Sequence, residues 1–221
     1  MDDELDNSLS RVLGTALRIS ILKTIFYSLR WQGLVLVGRH SRMRINGKIL
    51  MRQKSMFIVG MQNELPGGAL IEVKRGAVLE IQGRVHIRKS TRVTVGQDAR
   101  LSIGSGTIIG ERSVIACKCR MSIGSQCAIG WNNNIMDSDM HYLIIDGKKR
   151  DSTAPVIIGN NVWTGVGVTV LKGLNIGNNS AIAAGSIVTK SVPENTLSVG
   201  APCRVIKTGI SWDTVPKTKW N

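Results

Sequence analysis

A six-residue period constrains this chain more than any other feature. Ile158, Thr164, Val170, Ile176, Ile182 and Val188 stand six apart without a slip. Upstream, Ile103, Ile109 and Ile115 keep the same spacing, and so do Ile123, Ile129 and Ile135. The residue that follows is mostly small, as in Gly104, Gly110, Gly124, Gly130, Gly159, Gly165, Gly177 and Ala183. A helix needs a period near 3.6 and a two-faced strand a period of 2, and six fits neither. It fits a short strand with one aliphatic residue inward, followed by a tight corner. Three such strands close a triangular coil, and coils stack by parallel hydrogen bonding at about 4.8 Å per step. The two upstream sets are joined by an eight-residue step from Ile115 to Ile123, so that coil takes 20 residues. The period therefore predicts an all-β chain folded as a parallel β-helix. Looser alternation at Arg44, Ile45, Lys48 and Ile49, and at Leu79 and Ile81, predicts that coiling begins as early as residue 33.

Composition agrees with a narrow prism. Trp, Tyr and Phe number only 5, 2 and 2 in 221 residues, whereas an ordinary compact core leans on large aromatics. A hydrophobic content of 43% excludes a disordered chain, and 24 Gly without a three-residue period exclude collagen. Cys117, Cys119, Cys127 and Cys203 form neither a disulfide framework nor a zinc set, since no CxxC pair or nearby His completes one. They read as reduced structural thiols. The start, Met1-Asp2-Asp3-Glu4, lacks the basic-then-apolar order of a signal peptide. The uncharged run 152–171 is interrupted by Pro155, Asn160 and Asn161, which argues against a lipid-facing helix. The expected location is cytoplasmic, at most peripheral to the inner face of the cell membrane.

The N-terminal part reads differently. Leu9, Val12, Leu13, Ala16, Ile19, Leu22, Phe26 and Leu29 fall at helical spacing, predicting an amphipathic helix over residues 8–30. Of the net charge of +14, most sits between residues 11 and 60, which hold ten Lys or Arg and no Asp or Glu. Two readings stay open. In one the helix caps the open end of the coil with its basic side chains in water; in the other, residues 8–54 contact an anionic membrane or an acidic polymer. Nucleic acid is not indicated, because no recognition motif accompanies the charge. The organisation is then an acidic start and basic helix over 1–32, a β-helix over 33–206 and a C-terminal tail over 207–221.

The hexads break between Ile135 and Ile158. A stacked coil has no need of the excursion 136–157, and long excursions from a rigid scaffold carry function. Inside it lie Asp137-Ser138-Asp139-Met140-His141 and the polar stretch Asp146–Asp151. The other histidines are His40 and His86.

Four blocks in this order carry a resemblance: Asp137 to His141; Ile158-Gly159-Asn160-Asn161-Val162-Trp163; Gly185-Ser186-Ile187-Val188-Thr189-Lys190; and Val199 to Ile206. The chain resembles the hexapeptide-repeat acyltransferases, in the O-acetyltransferase branch that includes galactoside and maltose acetyltransferases and enzymes that acetylate capsule or lipopolysaccharide sugars. The resemblance implies a left-handed β-helix, acetyl-CoA as acyl donor, a sugar or polysaccharide hydroxyl as acceptor, and a homotrimer with sites between neighbours. It implies His141 as general base, with Asp139, or else Asp137, holding the imidazole tautomer as in a triad. A backbone N–H must meet the oxyanion, and Gly165 is the candidate. Trp163, Gly165, Ala184, Thr189 and Lys190 match positions that line the coenzyme A groove, with Lys190 and Arg204 toward its phosphates. Ala184 and Thr189 also read as plain β-helix corners. Asn133 reads as an inward ladder residue, and Asn132 and Asn134 as acceptor contacts. Thr164 departs from the pattern, replacing an aliphatic residue, and is expected to alter the groove. The long basic N-terminal part fits an enzyme of envelope polysaccharide assembly better than a small sugar acetyltransferase.

Three rivals remain. A zinc hydratase on this coil needs three converging histidines, but His86 and His141 are 55 residues apart, on the order of 13 Å along the axis; no metal is expected. A nucleotide-sugar N-acyltransferase would also use a His base. A non-catalytic scaffold would bind no coenzyme A.

Overall fold

The computed structural model describes residues 19–52, 54–61 and 67–213. The acidic start, the expected helix over residues 8–18 and the end of the tail lie outside them. Among the described residues one helix, α1 (Ile21–Trp31), precedes the coil. The first coil is β1 (Leu34–Val37), β2 (Arg42–Ile45) and β3 (Lys48–Met51). β4 (Met56–Val59), β5 (Leu70–Val73) and β6 (Val78–Ile81) make the second; β7 (Arg84–Ile87), β8 (Arg92–Val95) and β9 (Arg100–Ile103) the third. The fourth is β10 (Ile108–Ile109), β11 (Val114–Cys117) and β12 (Arg120–Ile123). In the fifth, β13 (Ala128–Ile129) and β14 (Asn134–Met136) are followed by an excursion holding β15 (Ile144–Ile145) and β16 (Lys148–Lys149), and β17 (Val156–Ile158) completes the coil. β18 (Trp163–Thr164), β19 (Thr169–Val170) and β20 (Asn175–Ile176) form the sixth. β21 (Ala181–Ile182) and β22 (Ile187–Val188) form the seventh with Val192, which bridges Ile176. β23 (Thr196–Gly200) and the antiparallel β24 (Cys203–Thr208) end the stack, with Thr208 paired to Thr196.

Corresponding strands join into three sheets, one for each face of the prism. Ile109, Ile129, Thr164 and Ile182 stack on the first face, Ile115, Ile135, Val170 and Val188 on the second, and Ile103, Ile123, Ile158 and Ile176 on the third. All of them are buried. The architecture is the expected left-handed parallel β-helix, and its first strand begins at Leu34. The early coils escape the six-residue count because they are longer: Leu34 pairs with Met56 and Met56 with Arg84, steps of 22 and 28 residues.

Several polar residues inside the prism satisfy a corner. The hydroxyls of Ser55, Thr107 and Ser113 accept the N–H groups of Gly83, Cys127 and Asn133 on the next coil at 2.9–3.1 Å, as buried backbone donors require. Thr164 is one of these. It is fully buried, and its Oγ1 accepts the Gly130 N–H at 3.1 Å, so its departure from the pattern changes the core and not a groove. Asn133 is the inward ladder residue expected, donating from Nδ2 to the carbonyls of Trp131 and Gly165 at 3.1 and 2.9 Å. A second ladder runs along the corner between the third and first faces. Asn161, Asn179 and Asn195 all take left-handed backbone, φ 52°, 58° and 56°. Their side chains join Asn161 Nδ2 to Asn179 Oδ1 at 3.1 Å and Asn179 Nδ2 to Asn195 Oδ1 at 3.0 Å.

Helix α1 caps the first coil, but with its polar side inward. Thr24 Oγ1 accepts the Val37 N–H at 3.1 Å and Ser28 Oγ the Val35 N–H at 3.0 Å. Lys23 Nζ donates to the Ser41 carbonyl at 2.9 Å and Tyr27 OH to that of Met43 at 3.4 Å. No helix among the described residues is long and apolar enough to cross a membrane.

The corner ladder makes a graded prediction. Asn179→Ala loses two side-chain hydrogen bonds and places Cβ chemistry without compensation in left-handed backbone, which costs roughly 1–2 kcal/mol for the backbone and about 1 kcal/mol per bond. Asn179→Gly removes only the bonds. Denaturant titration is expected to rank wild type above Gly above Ala, and an Ala variant as stable as the Gly variant would contradict the backbone role.

Candidate active site

The excursion after β14 is an ordered antiparallel arm. At its base Ser138 bridges Thr153, the Asp139 N–H donates to the Ser152 carbonyl at 2.8 Å, and the Ala154 N–H to that of Asp137 at 3.0 Å. At its tip β15 and β16 pair around Asp146 and Gly147, both at positive φ (51° and 71°), the geometry a two-residue hairpin turn demands. Lys149 Nζ lies 3.5 Å above the Tyr142 ring.

Two carboxylates fix the arm to the coil. Asp137 is fully buried and accepts the N–H groups of Lys118 and Cys119 at 2.6 and 2.9 Å. Those residues lie in the eight-residue step of the coil below, so the first residue of the arm satisfies the amides that the longer corner leaves over. Asp139 meets Lys172 Nζ at 2.7 Å, and Lys172 also donates to the Asp151 carbonyl. The Gly173 N–H reaches the Ala154 carbonyl at 3.1 Å. His141, four residues beyond Asp137, is exposed on the arm and has no hydrogen-bond or ion-pair partner among the described residues. The expected carboxylate–imidazole contact is therefore not formed: Asp139 is engaged with Lys172, and both oxygens of Asp137 are engaged with backbone.

Other chemistry is closed off around it. Burial pushes the thiols of Cys117, Cys119, Cys127 and Cys203 up, and the Asp137 carboxylate adds to this at Cys117 and Cys119, so none is poised as a thiolate nucleophile. Burial holds the His86 imidazole below its ordinary pKa, with its Nε2 3.0 Å from the Met61 carbonyl. No group of three or more His, Cys, Asp or Glu that would hold a metal ion occurs among the described residues.

Most of the remaining sequence candidates fall on two corners of the prism. Thr189 and Lys190 follow β22, and because Val188 is in register with Val170 they stand one coil beyond Leu171 and Lys172, the corner that clamps the arm. Both are exposed. Trp163 lies on the first face, and Gly165, Ala184 and Asn132 lie on the corner between the first and second faces. The Gly165 N–H donates to the Ile182 carbonyl at 2.8 Å and is not free for an oxyanion. Glycine is needed there for packing, since a Cβ would come within 2.6 Å of the Ala184 nitrogen. At this corner the N–H groups of Val166 and Ala184 are among those without an acceptor among the described residues. Asn132 holds a left-handed corner (φ 55°), a backbone reason for its identity, while Asn134 is half-buried in β14. Arg204 is exposed on β24, its guanidinium donating to the Cys203 carbonyl at 2.8 Å.

Further residues join Trp163. Arg88, Ile108 and Trp131 line a cleft of about 170 Å³ with it, and Trp212 packs at 6.2 Å with its Nε1 donating to the Asn161 carbonyl at 2.7 Å. For Arg88 a signal existed: Arg84, His86 and Arg88 alternate, which puts them on one outward face. Trp212 follows the last repeat and carried none.

No family model matches the chain. It is 57% identical over 53 residues to the galactoside O-acetyltransferase of Escherichia coli (strain K12), covering 24% of this chain and 26% of that protein. With the galactoside O-acetyltransferase of Lactococcus lactis subsp. lactis (strain IL1403) it shares 44% over 85 residues, 38% of this chain and 41% of the other. The chain thus spans less than half the length of these relatives. The solved structure of the polySia specific acetyltransferase NeuO covers 85% of this chain and 91% of its own, with a TM-score of 0.55 and 25% identity. The polysialic acid O-acetyltransferase OatWY gives 0.52 at 22% identity, over 85% and 92%. This is a hexapeptide-repeat β-helix, related in sequence over part of its length to the galactoside O-acetyltransferases and sharing, over most of it, the fold of NeuO and OatWY.

Proposed function

We propose that the chain is an acetyl-CoA-dependent O-acetyltransferase acting on a sugar hydroxyl of an envelope polysaccharide, working in the cytoplasm with His141 as general base. The observation that carries this reading is the ordered arm that presents His141 from an otherwise regular coil, beside the exposed corner of Thr189 and Lys190. The relatives' activity supports the reaction class. The net charge of +14 supports an acidic acceptor.

In this mechanism the neutral imidazole takes the proton of the acceptor hydroxyl as its oxygen attacks the thioester carbonyl. The tetrahedral intermediate collapses with loss of the coenzyme A thiolate, which takes the proton back from His141. With the Gly165 amide engaged, the Val166 and Ala184 N–H groups become the candidate donors to the oxyanion. Asp139 acts as a positioning residue, holding the arm through Lys172. Trp163, Ala184, Thr189 and Lys190 would receive the donor, with Arg204 toward its phosphates, and Asn132 or Asn134 the acceptor.

His141 and Trp163 stand on different parts of one prism, so a complete site needs a neighbouring copy. The arm carries exposed Tyr142, Leu143 and Ile144, which suits burial against another subunit, and we assign a homotrimer with sites between neighbours.

Two measurements test this. His141→Ala is expected to lower kcat/KM by about 10²–10⁴-fold in a thiol-release assay with acidic glycans, while calorimetric binding of acetyl-CoA is kept. Unchanged turnover would remove His141 from the chemistry, and absence of acetyl-CoA binding to the folded protein would leave a scaffold. Light scattering is expected to give about three times the 24.0 kDa chain mass, and Leu143→Asp with Ile144→Asp to reduce it; a wild-type monomer would contradict the shared site.

A further inference from the structure

We infer that the outward face of α1, together with the cationic cleft beside it, docks the protein on the surface of an anionic phospholipid bilayer. The helix presents Leu22, Leu29, Phe26 and Ile25 to solvent at 83%, 77%, 57% and 53% exposure. At about 100° per residue these positions, with Ile21, form one stripe. An amphipathic helix on the end of a coil ordinarily turns such a stripe inward. Here the inward side is occupied by Thr24, Tyr27, Ser28 and Trp31, and four of the helix's side chains hydrogen-bond to backbone of the first coil and the corner that follows β1. The helix cannot roll to bury its leucines without breaking all four.

The charge lies where a lipid surface would need it. Lys23 and Arg30 border the stripe on the side of Phe26, by the same helical arithmetic. Lys23 also opens onto a cleft of about 820 Å³ whose lining includes Arg39, Arg42, Arg44 and Lys89. Glu72, in register with Arg44, is the acid on the adjoining strand; residues 11–60 contribute none.

Neither feature alone selects a partner, but the two together do. A soluble polyanion would use the cations and leave Leu22 and Leu29 in water. A second copy of this chain would bring a like-charged surface against this one. At the interface of an anionic bilayer the apolar stripe enters the acyl boundary while the flanking Lys and Arg meet headgroup phosphates. The inference stands independently of the catalytic reading.

The test is co-sedimentation of the full chain with phosphatidylcholine vesicles, with and without phosphatidylglycerol. Binding is expected to be at least about tenfold tighter with phosphatidylglycerol and to weaken in high salt. A triple variant, Leu22→Ser, Phe26→Ser and Leu29→Ser, alters exposed positions only. It is expected to lose that binding by at least about tenfold with an unchanged melting temperature. No binding of the wild type to phosphatidylglycerol vesicles would overturn the proposal. So would equal binding by the variant, which would reduce the surface to a general polyanion site. A variant that changes the mass of the assembly but not vesicle binding would assign the stripe to a second copy.

Discussion

Backbone meets backbone at every corner of this prism, and that close approach governs the rest. Parallel coils stack at about 4.8 Å, which leaves no space for a side chain where one corner lies over the next. A Cβ on Gly124 would stand 2.4 Å from the Gly159 carbonyl oxygen, and one on Gly130 the same distance from that of Gly165. At these corners glycine after the inward aliphatic is thus a condition of stacking. The other conditions follow from it. A corner tight enough to stack exposes amides to the interior, and the hydroxyls of Ser55, Thr107, Ser113 and Thr164 satisfy them. It also forces left-handed backbone, which Asn161, Asn179 and Asn195 tolerate while bonding to one another.

Because each coil repeats one environment, the stretch from Ile103 to Val188 was legible residue by residue. The early coils obey the same physics at longer steps, 22, 28 and again 22 residues along the first face, so the six-residue count is lost there and the alternation of single strands was the signal that remained. Thr164 was misplaced in the sequence reading by its chemistry, although its hexad position already put it inside. In the candidate site the excursion was legible and its fastenings were not. Asp137 acts on amides of the preceding coil, and no local pattern reports a partner that far away. Asp139 left a trace: Lys172 is the single charge between residues 152 and 189, and a lone cation in a long neutral run needs a partner. The turn at Asp146 and Gly147 was likewise a hairpin signal that the polar run around it obscured.

Amphipathicity in α1 shows a different limit. Helical spacing separates polar from apolar side chains, but it does not say which side meets the protein. Here small hydroxyls at Thr24 and Ser28 fit against the first coil and satisfy the Val37 and Val35 amides, a fit that Leu22 or Leu29 could not give. Hydrogen-bond supply at a coil's open end, where backbone groups lack a preceding coil to pair with, outweighs burial of the apolar side. The same deficit at the other end is met by β24 folding back on β23.

Rigidity then decides how any chemistry must be assembled. The corner that carries the arm and the one that carries Gly165 and Ala184 belong to one hydrogen-bonded prism, and no hinge connects them. A small movement cannot bring His141 to Trp163 within one chain; in the proposed reading a second prism laid alongside does so, offering its own first face to the arm of its neighbour. Stacking also fixes the height of the site. The arm leaves the fifth coil, four steps from the first, which is about 20 Å along the axis from the coil that α1 covers. In the proposed reading a bilayer held by α1 and an acetyl donor held near the arm are kept apart by that fixed length. An acceptor extended from the membrane, such as a lipid-linked polymer, spans such a gap, and a free monosaccharide has no use for it.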